Sequence, residues 1–261
     1  MNKIGFIGGG ALAESIIGGI SGKTFAPENI FVSEIRAARC AELAKKYGIK
    51  AAVEANFLDV VDLLIIAVKP KDAEKTFAAL KNKIPERTLI IYTVAGLKLA
   101  TVEKFLPENK IVRVMPNVAV SVGESMTAYV LNKNAAQIGD AVKNFWSTLG
   151  RAVEVEEKLM DAVTGLSGSG SAYAFLMIDA LSDGAVAAGL PRAQAIELAA
   201  QTLLGAAKMV LVSGEHPCVL RDKVTSPAGT TIEGVRILER GGVRSSLIEA
   251  VLAATEKSKS L

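Results

Sequence analysis

Histidine occurs once in this chain, at His216, and cysteine only twice, at Cys40 and Cys218. A histidine-rich metal site is therefore excluded, and the widely separated cysteines fit no metal-binding spacing, so no metal is expected. Such sparing use of cysteine points to a reduced, cytoplasmic protein. Aromatic residues are scarce too, at 5% of 261 residues, while 50% of the chain is hydrophobic. The core must then be aliphatic and rich in alanine. Charge of one sign never gathers into a run, and the net charge of +3 comes from interspersed residues. Neither a nucleic-acid footprint nor a membrane-surface patch is present, which leaves a small molecule as the expected ligand. The apolar run Leu63–Val68 is fenced by Asp62 and Lys69 and is too short to cross a bilayer. Met1-Asn-Lys leads straight into Ile4-Gly-Phe-Ile7, so no targeting segment is expected.

What is present begins at that strand-like segment. Lys3–Ile7 reads as a short buried strand, and Gly8-Gly-Gly10-Ala11-Leu12-Ala13 as a tight turn opening a helix. The spacing Gly8-x-Gly10-x-x-Ala13 fits the dinucleotide fingerprint. Gly8 permits the turn, Gly10 lets a pyrophosphate approach the backbone, and Ala13 allows close packing of helix on strand. Ala11 and Leu12 lie inside the same turn. A glycine turn with no ligand is the competing reading, and the strand–turn–helix context weighs against it. A second strand, Asn29–Ser33, runs into Glu34-Ile-Arg36. A carboxylate at Glu34 suits the ribose hydroxyls of NADH, while Arg36 or Arg39 could pair the 2′-phosphate of NADPH, and Ser33 serves either. At least one of the two arginines is expected on a solvated helix face. The cofactor is thus NADPH or NADH.

Further buried strands are expected at Asp62–Val68, Thr88–Val94, Lys110–Met115, Glu124–Leu131 and Arg151–Val155, with helices over Arg39–Tyr47 and Ala135–Leu149. The alternation predicts an α/β fold, an N-terminal Rossmann-type doubly wound sheet over residues 1–156. Ligand should lie at the carboxyl ends of its strands, where Gly8, Ala67 and Met115 fall. Lys69-Pro70 ends one strand, and Asn117 follows another; a plain strand terminus and a turn-forming asparagine remain alternatives there. After Glu156 strand-like runs vanish and alanine-rich helices follow, giving an all-α C-terminal domain over 157–261. Its helices are apolar over much of their circumference and should be buried against a partner, so a dimer is expected. Asp179 and Asp183 share a helix face and are expected to form a polar stripe or a subunit contact. His216, before Pro217, is expected to cap a helix or lie in a loop. Cys218 reads as a small apolar residue.

The densest pattern is Lys223-Val-Thr-Ser-Pro-Ala-Gly-Thr-Thr-Ile-Glu-Gly234. Ser226 is expected to cap a helix with Pro227 at its first position. The N–H groups of Ala228, Gly229, Thr230 and Thr231 would then face an anion such as a carboxylate. An ordinary capped helix start is the alternative. Val224–Glu239, with Gly241–Val251 after it, resembles the signature of the pyrroline-5-carboxylate reductases, and the likeness extends over essentially the whole chain. That family usually has Gly-Gly where this chain has Ala228-Gly229.

The resemblance implies reduction of Δ1-pyrroline-5-carboxylate to L-proline by hydride from NAD(P)H, the last step of proline biosynthesis. It implies that Ser226, Gly229, Thr230 and Thr231 hold the substrate, with Thr231 on the ring nitrogen. It places Ala67-Val68-Lys69-Pro70 beside the nicotinamide ribose and Asn117 near the nicotinamide or the substrate. It also implies homodimers through interleaved C-terminal helices, assembled in some members into rings such as a decamer. Two rival readings remain. Another NAD(P)-dependent dehydrogenase of the 6-phosphogluconate or β-hydroxyacid type would need a base, and the helical Gly-x-x-x-Lys-x-x-x-Asn pattern fails around Lys208, where Val212 holds the last place. A non-catalytic NAD(P)-binding regulator would not need the turn at Ser226–Thr231.

Overall fold

In the computed structural model, which describes residues 2–261, an eight-stranded sheet is laid down by β1 (Ile4–Ile7), β2 (Ile30–Ser33), β3 (Lys50–Ala52), β4 (Leu63–Ile66), β5 (Leu89–Tyr92), β6 (Ile111–Met115), β7 (Ser125–Leu131) and β8 (Gly150–Glu154). Their spatial order is β3-β2-β1-β4-β5-β6-β7-β8. Every neighbouring pair is parallel except β6–β7. The crossovers use α1 (Ala11–Ile20), α2 (Ala37–Tyr47), α3 (Pro70–Leu80) and α4 (Leu99–Glu103), and α5 (Gly139–Ser147) joins β7 to β8.

The continuous apolar run of β4 is explained by burial on both faces. Leu63 and Ile65 join a core with Ile4, Phe6, Ile16 and Trp146 on one side. Leu64 and Ile66 join a second core with Phe77, Tyr92 and Met115 on the other. Strand order reverses between β1 and β4, and that switch point is where a doubly wound sheet opens a crevice for ligand.

Two details of this sheet differ from the sequence-based expectation. The short strand β3 was not expected, because Lys50-Ala-Ala52 is mostly exposed and carries no apolar alternation. The helix expected over Ala135–Leu149 is divided into a 3₁₀ turn, Lys133–Ile138, and α5.

Beyond β8 the chain is helical: α6 (Met160–Val163), a π-turn at Thr164–Gly168, α7 (Ser169–Ala187), α8 (Arg192–Ser213), α9 (Pro217–Lys223), α10 (Thr230–Arg240) and α11 (Val243–Lys259). The chain forms two compact units. The first runs to Ser169 and takes in Leu252–Leu261; the second is Gly170–Val251. Side-chain bonds show why residues just past 156 belong with the sheet. Glu157 accepts from Nη1 of the buried Arg113 at 3.2 Å and from the Leu99 amide at 2.6 Å. Asn117 Nδ2 donates to the Ser167 carbonyl at 3.1 Å. From the last segment, Ser258 Oγ donates to Asp161 at 2.7 Å.

In the second unit, α8 ends at Gly214, whose φ of 67° is the left-handed cap. No helix was placed over α9 in advance, but His216 takes the first of its two expected roles and caps it, its Nδ1 accepting from the Cys218 amide. Asp183, on the expected polar stripe, pairs with Arg192 at 2.6 Å. Buried apolar side chains in this unit are small, Ala195 and Ala199, while Phe175, Leu176, Leu198, Leu204 and Leu211 are exposed. By length and composition alone, α8 is apolar enough to cross a membrane.

The start of α10 corrects a prediction. Ser226 is not its N-cap and Pro227 is not its first residue: the helix begins at Thr230 and Gly229 is the cap. Ser226–Gly229 is instead a β-turn, closed by a bond from the Gly229 amide to the Ser226 carbonyl at 3.1 Å. Pro227 sits second, where its fixed φ favours a turn, and Ala228 third, at φ 55°.

Candidate active site

The turn after β1 is built by its first glycine. Gly8 has φ +96°, and a Cβ there would lie 2.6 Å from the Ala67 carbonyl oxygen. Its amide donates to the Ser33 carbonyl, and the Ala67 amide donates to the Ile7 carbonyl. Gly8, Ser33 and Ala67 are thereby brought together at the carboxyl ends of β1, β2 and β4. Gly10 is different in kind. It is the N-cap of α1, no side chain caps that helix, and a Cβ built on Gly10 meets nothing within 4 Å. The amides of Ala11 and Leu12 in the first helical turn therefore face open space beside a missing side chain. That cradle fits the pyrophosphate of a dinucleotide.

Around the cradle, Val68 is half-buried, Lys69 and Pro70 are exposed, and Pro70 opens α3. Ser33 Oγ donates to the Val53 carbonyl. Asn117 forms a turn: its Oδ1 accepts from the Ala119 amide, capping a 3₁₀ helix over Val118–Val122.

Glu34 and the two arginines sit where the sequence brings them to β2, but with unexpected partners. Glu34 is only 7% exposed. One carboxylate oxygen accepts from the Gly9 amide at 2.9 Å, and the other from the amide and Nε of Arg36. Burial alone would raise its pKa, but the bonds from Arg36 and Gly9 outweigh it and hold the carboxyl below its usual range. The Arg36 side chain is 63% exposed. Arg39 does not lie on a solvated face. Its side chain is 13% exposed, Nε donates to the Gly9 carbonyl at 2.9 Å, Nη2 pairs with Glu14, and Nη1 pairs with Glu42 at 2.6 Å. Glu14 also accepts from Lys46 at 2.8 Å and from the Tyr47 hydroxyl at 3.2 Å. The Lys46 and Arg39 bonds bring the Glu14 carboxyl down to about 2. Sequence reading did not foresee Glu14, because its partners lie 25 to 33 positions away.

The second candidate turn is at the start of α10. Thr230 and Thr231 are its first residues, both exposed, and no side chain caps the helix. The Gly229 amide is spent within the Ser226–Gly229 turn, so the donors left to an anion are those of Thr230, Thr231 and Ile232. The glycine at 229 answers to packing inside the chain: a Cβ there would collide with Ser226 Oγ. Ser226 is thus placed against the turn, with its side chain exposed.

A doubly wound sheet with an open, glycine-capped helix start at its switch point defines a protein of the dinucleotide-binding Rossmann class. Residues 157–261 match the family model for pyrroline-5-carboxylate reductase dimerisation, and residues 3–96 match that for coenzyme F420-dependent NADP oxidoreductase. Over 99% of its length the chain is 46% identical to a pyrroline-5-carboxylate reductase of Synechocystis sp., covering 98% of that protein. The chain belongs to the pyrroline-5-carboxylate reductase family. Among solved structures it resembles the Plasmodium falciparum pyrroline carboxylate reductase with NADP bound, with a TM-score of 0.89, 32% identity, and coverage of 99% and 97% of the two chains. A prephenate dehydrogenase of A. aeolicus shares the fold alone, at 14% identity, a TM-score of 0.59, and coverage of 95% and 98%.

Proposed function

We propose that this chain reduces Δ1-pyrroline-5-carboxylate to L-proline with NADH or NADPH. The observation that carries the reading is the likeness along the full chain to a reductase of that name. The functional division is proposed at 156/157, where the dimerisation match begins. Residues 1–156 bind the cofactor. The amides of Gly10, Ala11 and Leu12 receive the pyrophosphate beside Gly8. Ser33, Glu34 and Arg36 border the adenosine ribose. Ala67, Val68, Lys69 and Pro70 border the nicotinamide ribose, and Asn117 holds the neighbouring turn with its side-chain amide.

When bound, the reduced nicotinamide supplies the hydride. The chain's own residues bind and orient the acceptor. The amides at the start of α10, from Thr230 onward, receive the substrate carboxylate, with Gly229 and Ser226 shaping the turn below them. Thr231 Oγ1 accepts a hydrogen bond from the protonated ring nitrogen. An imine nitrogen is basic enough to carry a proton near neutral pH, so the electrophile arrives activated. Such a reaction needs no general base, and positioning supplies most of the rate. A hydroxyacid-type dehydrogenase would need a base for its hydroxyl proton.

The exposed apolar side chains of α7 and α8 are proposed to be covered by a second copy of the chain, in a homodimer that can build a larger ring such as a decamer. The same cover accounts for the apolar character of α8 without a membrane. A cytoplasmic location is proposed from the single buried and single half-buried thiol. The direct test is oxidation of NADH and of NADPH, compared side by side, with pyrroline-5-carboxylate as acceptor and proline identified as product. Turnover that requires the imine acid supports the proposal, and no turnover with either cofactor rejects it.

A further inference from the structure

We propose that Arg39 and Glu34 are positioning residues that grip the two peptide groups flanking Gly9, and that Arg39 aims the Gly10 N–H at the cofactor's pyrophosphate. The proposal rests on reading Gly8–Leu12 as the cofactor turn.

The geometry is that of a clamp with two jaws. On one side the Gly9 amide donates to the buried Glu34 carboxylate. On the other, Arg39 Nε donates to the Gly9 carbonyl. That carbonyl shares a planar peptide group with the Gly10 N–H, and in a trans peptide the two point in opposite directions. Fixing the carbonyl toward Arg39 therefore fixes the Gly10 N–H away from it, at a residue where an added Cβ would meet nothing within 4 Å. A charged donor on the carbonyl also polarises the peptide and strengthens its N–H as a donor.

Arg39 is itself held. Its other two nitrogens pair with Glu14 and Glu42, so each of its three nitrogens is engaged within the chain. It is therefore not the reader of a 2′-phosphate, and the exposed guanidinium near the end of β2 is that of Arg36. Glu14, in the first turn of α1, would repel a pyrophosphate if it stood alone. Arg39 and Lys46 neutralise it. A Cβ at Gly9 would lie 2.9 Å from Leu43 Cδ1 and 3.2 Å from Glu34 Cβ, so a side chain there would press on Leu43 and on the Glu34 jaw of the clamp.

The test separates positioning from phosphate reading. Arg39→Lys keeps a positive charge near Glu14 but loses the fork that reaches both Glu14 and Gly9. It should raise the KM for NADH and for NADPH by the same factor, about tenfold, as for one charge-assisted hydrogen bond, with kcat at saturating cofactor nearly unchanged. Glu34→Ala, which leaves the Gly9 amide without its acceptor, should raise both KM values as well. A loss confined to NADPH, or no change with either cofactor, overturns the proposal. Amide exchange in the wild-type protein without cofactor gives a second readout that needs no variant. The Gly9 amide should exchange slowly and the Gly10 amide fast; fast exchange at both overturns the clamp. Failure of the wild type to use either cofactor would instead strike the reading of the turn itself.

Discussion

Thr231 carries the sharpest expectation at the scale of single residues. Thr231→Val keeps the shape and removes the hydroxyl, so kcat/KM should fall by the equivalent of ~1–3 kcal/mol while binding of oxidised cofactor hardly changes. Full activity in that variant would reduce Thr231 to a helix-start residue. Three positions earlier, Ala228 sits at φ 55°, a conformation that glycine adopts without penalty. A side chain there costs about 1 kcal/mol or more. Ala228→Gly should therefore raise the urea midpoint, and a lower midpoint would show that the added freedom of the unfolded chain outweighs the strain. The alanine was visible in the sequence, but its cost was not, because the turn type depends on where the helix begins.

Glu14 makes a pH prediction. Its carboxyl titrates near 4.5 in an unfolded chain and at about 2 in the folded one. Its contribution to stability is complete above 4.5 and is lost as the pH falls toward 2. Replacing Glu14 with Gln should flatten the acid limb of stability followed by circular dichroism. An unchanged limb would mean that Lys46 and Arg39 do not hold this carboxylate in solution.

At the scale of elements, the glycines of the first turn should respond in opposite ways. Gly8→Ala meets both a positive φ and the Ala67 carbonyl, so it should lower the melting temperature. Gly10→Val meets open space, so the fold should survive while cofactor KM rises steeply. A Gly10→Val protein that binds cofactor normally would remove the pyrophosphate from this turn.

The strand, glycine turn and helix from Lys3 to Ile20 could be read in advance because each signal is local: an apolar run, a spacing of small residues, a helical face. The strands β4 and β5 were legible for the same reason. Strand β3 and helix α9 were not, being short and weakly patterned. The start of α10 was misplaced because Ser-Pro satisfies both a helix cap and a β-turn, and only the bond from Gly229 to Ser226 decides between them. The roles of Arg39 and Glu14 were hidden because an ion pair between α1 and α2 leaves no periodic trace.

For the molecule as a whole, assembly is the first issue. Phe175 and Leu176 are 63% and 70% exposed in a unit whose buried apolar residues are two alanines. Such surface calls for cover, and the chain should sediment as a dimer or larger at micromolar concentration. Leu198→Glu should shift that equilibrium toward monomer; a wild type that sediments as a clean monomer would contradict the helical interface. The order of the units along the chain has a different consequence. Gly170–Val251 interrupts the first unit, which resumes at Leu252 and closes through Ser258 on Asp161. A single recombination junction could not trade the helical unit for another, because it would sever the sheet unit from its own closing segment. Exchange would require two crossovers, one within α7 and one within α11, each preserving helical phase. The architecture thus favours inheritance of both units together over reshuffling of either.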